Sequence, residues 1–426
     1  MDQFVIEGGA TLTGSLSASG SKNSSLPILA ATLLTGEQCV VRRVPDVSDC
    51  NYMLSILRLL GGEVERSSGR AIILNEKIQA EAPYELVRKM RASICVMGPL
   101  LARLGEARVS LPGGCVIGDR PIDLHLKGLE NLGAKVSVKG GDIDITAPNG
   151  LVGAEMNLRG AHGPTVLGTD NVMMAATLAK GVTIIDGAAA EPEVEDLANF
   201  LNAMGAKIKG AGTRRIKITG VEKLHGIDYT VIPDRIEAGT YVIAGAMAGE
   251  GLRIRRTNAE HLGAVIDVLR NSGFPIEVEK GDQPGEDVVT VSRAGGTSGA
   301  DITTEPFPGF PTDMQAQMCA LYSTVPGLSV IHEQIFPERF MHVPELNRMG
   351  ADIRRDGATA VIHGGRKLVG APVMASDLRA SAALVLAGLV AEGKTEVNRV
   401  YHIDRGYEHI DEKLLEVGAK IRRLQV

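Results

Sequence analysis

Apolar and polar positions along this chain fall into two helical patterns that alternate with short strands. In the first, apolar residues recur on one face and the segment stops at a glycine followed by an alternating stretch. It reads "LGGEVE" from 60, "LGAKVS" from 132, "MGAKIK" from 204, "SGFPIE" from 272, "MGADIR" from 349 and "VGAKIR" from 417. Each copy predicts the end of an amphipathic helix, a glycine cap and a half-buried strand. The glycines at 61, 133, 205, 273, 350 and 418 are 72, 72, 68, 77 and 68 residues apart. The second pattern is apolar nearly all round and recurs once per period, which predicts six helices buried inside a domain. Its copies are "KNSSLPILAATLLTG", "RASICVMGPLLARLG", "TDNVMMAATLAKG", "DRIEAGTYVIAGAMAGEG", "TDMQAQMCALYSTVPG" and "DLRASAALVLAGLVAEG". They are expected to end at glycines 36, 105, 181, 251, 327 and 393.

Six units of about 71 residues account for all 426 positions, a longer period than solenoid repeats have, so each unit is predicted to be a small α/β subdomain. Three units per domain put a domain change near Pro233. The first strand segment, "QFVIEGGATLTGSLSASG", precedes the first buried helix and is free to complete the other domain. The expected division is one lobe of residues 22–232 and a second made of 1–21 with 233–426. Chain crossings near 21 and 232 would act as a hinge.

Polar residues cluster where the apolar helices begin: Lys22 with Asn23, Arg91, Thr169 with Asp170, Asp234 with Arg235, Thr312 with Asp313, and Asp377 with Arg379. Ser, Thr, Asp and Asn there are ordinary caps. Arg91, Arg235, Arg379 and Lys22 are not, because a cation in the first turn opposes the helix dipole. Four such violations predict an anion that neutralises them, held where free N–H groups also point. Equivalent helix ends would collect around one cleft for a multiply charged substrate.

Composition narrows the partners. A net charge of −6 argues against nonspecific nucleic-acid binding, and the absence of Trp with 3% aromatics argues against stacking on single strands. No apolar run approaches the ~20 residues a bilayer requires. The N-terminal stretch has no basic region followed by an apolar one, so no secretory signal is visible. Five cysteines form no CxxC and nine histidines form no HxxxH pair, so no metal is expected, and a reducing cytoplasm is. Cys39, Cys50, Cys95 and Cys319 read as small buried hydrophobes. Cys115 differs: it follows Gly113 and Gly114 and precedes Asp119 and Arg120, on a segment whose glycines allow movement.

Nine stretches in order resemble the enolpyruvyl transferase family, in its branch acting on UDP-N-acetylglucosamine. They are "SGSKNSSLPILAATLL", "KMRASICVMGPLLARLG", "LPGGCVIGDRPIDLHLKGLE", "EPEVEDLANFLNAMGAKIKGAGT", "VIPDRIEAGTY", "FPGFPTDMQAQ", "ERFMHVPELNRMGA", "DLRASAALVLAGL" and "HIDRGYEHIDEKL". The resemblance implies two inside-out α/β barrel domains, each of three repeated units. It implies transfer of the enolpyruvyl group of phosphoenolpyruvate to the sugar 3′-hydroxyl, without a cofactor, by addition and elimination through a tetrahedral ketal. This is the first committed step of peptidoglycan precursor synthesis. Cys115 is implied as the acid that protonates the enol carbon, and as the residue that forms an adduct with the substrate and is alkylated by the epoxide fosfomycin. Lys22 and Arg120 beside it would lower its pKa. Asp313 is implied as the group that binds and deprotonates the hydroxyl. Lys22, Asn23 and Arg120 would contact phosphate, and Arg339, Arg379 and Arg405 would surround phosphoenolpyruvate, with Lys22 and Arg405 taking part in catalysis. Arg91, Arg120, Pro121, Ile122, Asp123, Leu124 and Ile335 would contact the nucleotide sugar, and Thr165 and Val166 its uridine. A monomer or weak oligomer is expected, with small-molecule partners and no membrane or nucleic acid.

The chain departs from the family pattern at Ser21 and Ser24, which replace alanines, and in "FPERF", where the family has Phe-Glu-Asn-Arg-Phe. Two alternatives fit less well. Enzymes of this fold that use shikimate 3-phosphate lack the cysteine loop. A non-catalytic relative that senses nucleotide sugars would not need Lys22, Cys115, Arg120, Asp313 and Arg405 together.

Overall fold

The computed structural model describes residues 2–82, 84–87, 90–111, 122–161, 163–295 and 297–425. Two kinds of helix occur, as the patterning predicts. The helix Arg235–Ala248 is buried at every position from Ile236 to Ala248, and Val166–Ala176 at every position from Gly168 onward. By contrast Gly263–Asn271 buries only Val265, Ile266 and Leu269. The first kind lies inside, where an all-apolar surface is stabilised by burial on every side; the second covers it with one apolar stripe.

Among the described residues six four-stranded sheets share one plan. A parallel pair at one edge leads into an antiparallel ladder. In one of them Glu81–Ala82 runs parallel to Glu106–Ser110, which pairs antiparallel with Asp142–Thr146, itself paired with Lys135–Lys139. The glycines 61, 133, 205, 273, 350 and 418 all adopt positive φ, between 92° and 106°. A side chain there would be strained, which explains why each repeat carries glycine at this point.

The chain divides into two compact units, one holding the described residues up to Ser19 and from Pro233, the other the described residues from Gly20 to Ile232. Each has its own hydrophobic core. In the first unit Asp2–Glu7 sits between Lys394–Asn398 and Lys420–Gln425, and Ser15–Ser17 runs parallel to Leu252–Thr257. In the second, Asp228–Thr230 closes the sheet of Cys39–Arg42. Ser21 belongs with the second unit because its N–H donates to Ile232 O at 2.8 Å.

Three details differ from the sequence expectation. Residues 91–96 form a 3₁₀ helix before the α-helix Met97–Leu104. Pro99 has no N–H to bond the Cys95 carbonyl, which removes one α-type hydrogen bond at the point where the two helix types meet. The third buried helix starts at Val166, capped by Thr165, and not at Thr169 and Asp170. Both of those lie inside it, fully enclosed, and burial, with Glu191 and Glu193 nearby, pushes the Asp170 carboxyl well above its ordinary range. Gly36 is not among the positive-φ glycines; the 3₁₀ turn Thr32–Leu34 ends the first buried helix before it.

Close approach of two inner helices depends on Gly98. A Cβ there would lie 2.3 Å from the carbonyl oxygen of Asn171, a backbone atom that cannot swing away. The Asn171 side chain accepts from Gly98 N at 2.9 Å and donates to Ile94 O at 3.1 Å, so the contact is hydrogen-bonded as well as tight. Gly98→Ala is expected to cost about 1–3 kcal/mol, the usual scale of overpacking. Urea denaturation with an unchanged midpoint would contradict this.

Candidate active site

In the unit containing residues 233–425, the predicted residues Asp313, Arg339 and Arg379 come together. Asp313 lies in the 3₁₀ turn Thr312–Met314 that leads into the helix Gln315–Thr324. Arg379 is in the first turn of Leu378–Val390, whose cap Asp377 accepts from its N–H at 2.9 Å. Arg339 follows the strand Leu328–His332 by way of a loop. Arg339 Nη2 is 2.7 Å from Asp313 Oδ1, and Arg379 Nη2 is 3.5 Å from Oδ2. The guanidiniums are 8% and 4% exposed, but the carboxylate between them is 26% exposed. Asp313 is therefore held by two buried cations while remaining partly exposed.

This arrangement revises the electrostatic expectation. Arg379 in a first helical turn does find an anion, but within its own unit that anion is a protein carboxylate. Arg235 lies 5.6 Å from the centre of the Phe307 ring. Burial works against the charge of Arg379; Tyr407, Asp313 and Asp234 more than offset it and hold the guanidinium above its ordinary range. Its carbon Cζ is 5.3 Å from the Tyr407 ring centre. Tyr407 stands two residues after Arg405, which is half-buried and whose charge, after burial, helps to depress His402. Ile335 is half-buried and its N–H is bonded at 2.9 Å to Glu333 Oε1.

The other unit gathers a second group. Lys22 opens the helix Lys22–Ala31, with Asn23 next to it, both half-buried. Its Nζ lies 3.5 Å from Asp49 Oδ2, a buried carboxylate in the first turn of Ser48–Leu59. The serines that depart from the family pattern each find a role. Ser21 caps the helix by accepting from Ser24 N, and the Ser24 hydroxyl donates to Asp196. Arg91 opens the 3₁₀ turn, and its charge adds to the burial that pushes His125 down to about 3. Ile122 is the N-terminal cap residue of Asp123–Asn131, whose first turn exposes Asp123. Leu124 packs on the ribbon formed by Arg159–Gly160 and Gly163–Pro164: a Cβ on Gly160 would be 3.1 Å from its Cδ1. Thr165 and Val166 follow that ribbon directly, so the segments 122–124 and 165–166 share one neighbourhood. Cys115, Arg120 and Pro121 lie outside the described residues.

Burial holds the histidines beside these cations below their ordinary range. His342, beside Arg339, is pushed down to about 4 chiefly by burial. Neither His125 nor His342 therefore adds positive charge to these groups near neutral pH. Among the described residues no cluster of His, Cys, Asp and Glu suits a metal ion, and no helix is long and apolar enough to cross a membrane.

Residues 6–414 match the sequence family described as EPSP synthase (3-phosphoshikimate 1-carboxyvinyltransferase). The chain belongs to this family of enolpyruvyl transferases. Among its relatives, a protein of Akkermansia muciniphila named UDP-N-acetylglucosamine 1-carboxyvinyltransferase is 60% identical, over 100% of this chain and 99% of its own. One of the same name from Methylacidiphilum infernorum is 58% identical over the same shares. Of solved structures, the enolpyruvyl transferase NikO from Streptomyces tendae aligns with a TM-score of 0.89 at 25% identity, covering 100% and 99% of the two chains. EPSP synthase from Acinetobacter baumannii shares the fold, with a TM-score of 0.79 at 19% identity over 100% of both chains. The two-domain inside-out α/β architecture is thus that of the enolpyruvyl transferases.

Sequence reasoning missed Asp49, Glu333 and Tyr407. A lone carboxylate in the first turn of an outer helix looks like a cap, and nothing in "IHEQIF" marks Glu333 as buried. Tyr407 had one signal, its place two residues after Arg405.

Proposed function

We propose that this protein transfers the enolpyruvyl group of phosphoenolpyruvate to the 3′-hydroxyl of UDP-N-acetylglucosamine and releases phosphate, opening peptidoglycan precursor synthesis. The observation that carries the reading is the Asp313 carboxylate, clamped by two buried guanidiniums yet itself partly exposed. A base so held cannot turn away from an incoming hydroxyl, and the cations beside it favour a substrate with negative charge. The names of relatives at 60% and 58% identity supply the acceptor.

In this reading Asp313 takes the proton of the sugar hydroxyl as its oxygen attacks C2 of phosphoenolpyruvate. The Cys115 thiol gives a proton to C3, which leaves a tetrahedral ketal. The bond from C2 to the phosphate oxygen then breaks, C3 loses a proton, the double bond returns and phosphate departs. Lys22, Asn23 and Arg120 receive the phosphate. Arg339, Arg379 and Arg405 compensate charge around phosphoenolpyruvate, acting where charge develops. Arg91, the run from Arg120 to Leu124, Thr165, Val166 and Ile335 hold the nucleotide sugar. The enzyme works in the cytoplasm, as a monomer or weak oligomer.

The test is phosphate release by the purified full chain. Release is expected with phosphoenolpyruvate and UDP-N-acetylglucosamine together, and neither with phosphoenolpyruvate alone nor with shikimate 3-phosphate as acceptor. No release with both substrates saturating would remove the reading.

A further inference from the structure

Behind the Asp313 clamp lies a carboxylate that the chemistry above does not use. Glu333 is fully buried, at 0% exposure, at the end of the strand Leu328–His332. Four donors meet it. Its Oε1 accepts from Thr304 Oγ1 at 2.8 Å and from the N–H groups of Ile335 and Phe336, each at 2.9 Å. Its Oε2 accepts from Thr312 Oγ1 at 2.8 Å. Among the described residues no cation lies within ion-pair distance of it. A buried carboxylate satisfied only by neutral donors costs stability unless those donors are well placed.

The fourth donor is the informative one. The Thr312 hydroxyl gives its single hydrogen to Glu333, so its oxygen is left to accept, and Arg339 Nη1 donates to it at 3.1 Å. The other arm of the same guanidinium reaches Asp313 at 2.7 Å. Thr312 also precedes Asp313 in the chain. One buried charge therefore sets the direction of a hydroxyl, the hydroxyl fixes one arm of Arg339, and the guanidinium fixes Asp313. The same Glu333 pins the loop carrying Ile335 by two backbone hydrogen bonds.

We infer that Glu333 is a positioning residue for the reaction: through the Thr312 hydroxyl and Arg339 it aims the Asp313 carboxylate, and through the Ile335 and Phe336 amides it holds the loop beside it. This rests on the reading of Asp313 as the base. It predicts a specific asymmetry between glutamate and glutamine. The two backbone N–H donors require an oxygen at the Oε1 position, so the amide of Glu333→Gln must turn its NH₂ toward Thr312. The Thr312 oxygen then faces two donors, Arg339 and the amide, and its own hydrogen must point elsewhere. The hydrogen-bond sense of the relay is reversed although its shape is kept.

The experiment compares Glu333→Gln, Thr312→Val, Thr312→Ser and the double variant Glu333→Gln/Thr312→Val in the full-length enzyme, with kcat and KM measured for both substrates per folded molecule. For Glu333→Gln and Thr312→Val the expected result is a loss in kcat of about 10²-fold, the scale that a small misplacement of a reacting group produces, with both KM values within about threefold. Thr312→Ser, which keeps the hydroxyl, should restore kcat to within about threefold, and the double variant should lose no more than the worse single variant. A purely structural role would lower the folded fraction without this split or this rescue. Normal kcat in Glu333→Gln, or losses that multiply in the double variant, would overturn the inference. If Glu333→Gln does not fold, the Thr312 pair decides: normal kcat in Thr312→Val overturns it. Asp313→Asn measured alongside separates the two ideas. Normal turnover there removes the base itself, whereas an inactive Asp313→Asn with a normal Glu333→Gln removes only the positioning role.

Discussion

Asp313→Asn is expected to lower kcat by about 10²–10⁴-fold, the range for loss of a general base, while leaving the protein folded. Asparagine is the better probe than alanine for a structural reason. Arg339 and Arg379 are nearly inaccessible and both face Asp313. Alanine would leave two buried guanidiniums facing an empty space, and breaking a buried pair in this way costs several kcal/mol. The loss of activity would then be confounded with loss of fold. Asparagine fills the same space, keeps a carbonyl oxygen for Arg339 at the 2.7 Å contact and turns its NH₂ toward Arg379 at the longer 3.5 Å one, so it removes the charge and the basicity at less cost to packing than alanine. Phosphate release measured at saturating substrates, with circular dichroism as a check on folding, decides the matter. Turnover within about threefold of the parent enzyme would refute the role, since removing a working base cannot be so mild.

A single thiol is expected to react with fosfomycin, and it should be Cys115. The four described cysteines serve as internal controls, because all are buried and none forms a disulfide. Burial pushes the Cys39 thiol up to about 11, and pushes Cys95 and Cys319 up as well. At pH 8 a thiol of that pKa is ionised in only about one molecule in a thousand, and the thiolate is the nucleophile. Under the proposed function Arg120 stands beside Cys115 and favours its thiolate. Mass spectrometry of the intact chain should show one adduct, peptide mapping should place it on Cys115, and Cys115→Ser should take up none. An adduct on any of the other four, or no adduct, would contradict the reactivity assigned to this residue.

The repeat was legible because its marks are local. A glycine that must adopt positive φ leaves its imprint at one position, and six of them recur in step. Helices buried on all sides are apolar on all sides, which separates Arg235–Ala248 from Gly263–Asn271 without reference to any partner. Errors arose where the local mark was ambiguous. Thr169 and Asp170 resemble a cap, yet Thr165 takes that place four residues earlier, and burial inside the helix pushes the Asp170 carboxyl well above its ordinary range. Arginines at helix starts pointed to an anion, but could not say whether it belonged to the protein or to a ligand. For Arg379 the structure supplies Asp313, 66 residues away in the chain.

What the sequence alone determined is the sixfold alternation of a buried inner helix with an amphipathic outer helix, its glycine cap and the strand that follows, together with charged residue types at the helix starts. Those follow from backbone sterics and side-chain burial, which act within a turn or two. Only tertiary structure decided which charges meet. The junction of Asp313 with Arg339 and Arg379, the burial of Glu333 behind Thr312, and the seating of Asp2–Glu7 between two C-terminal strands depend on how distant elements pack. No periodicity encodes such pairings, because a charge or a hydrogen-bond donor is satisfied by whatever group packing brings to it, at any separation along the chain.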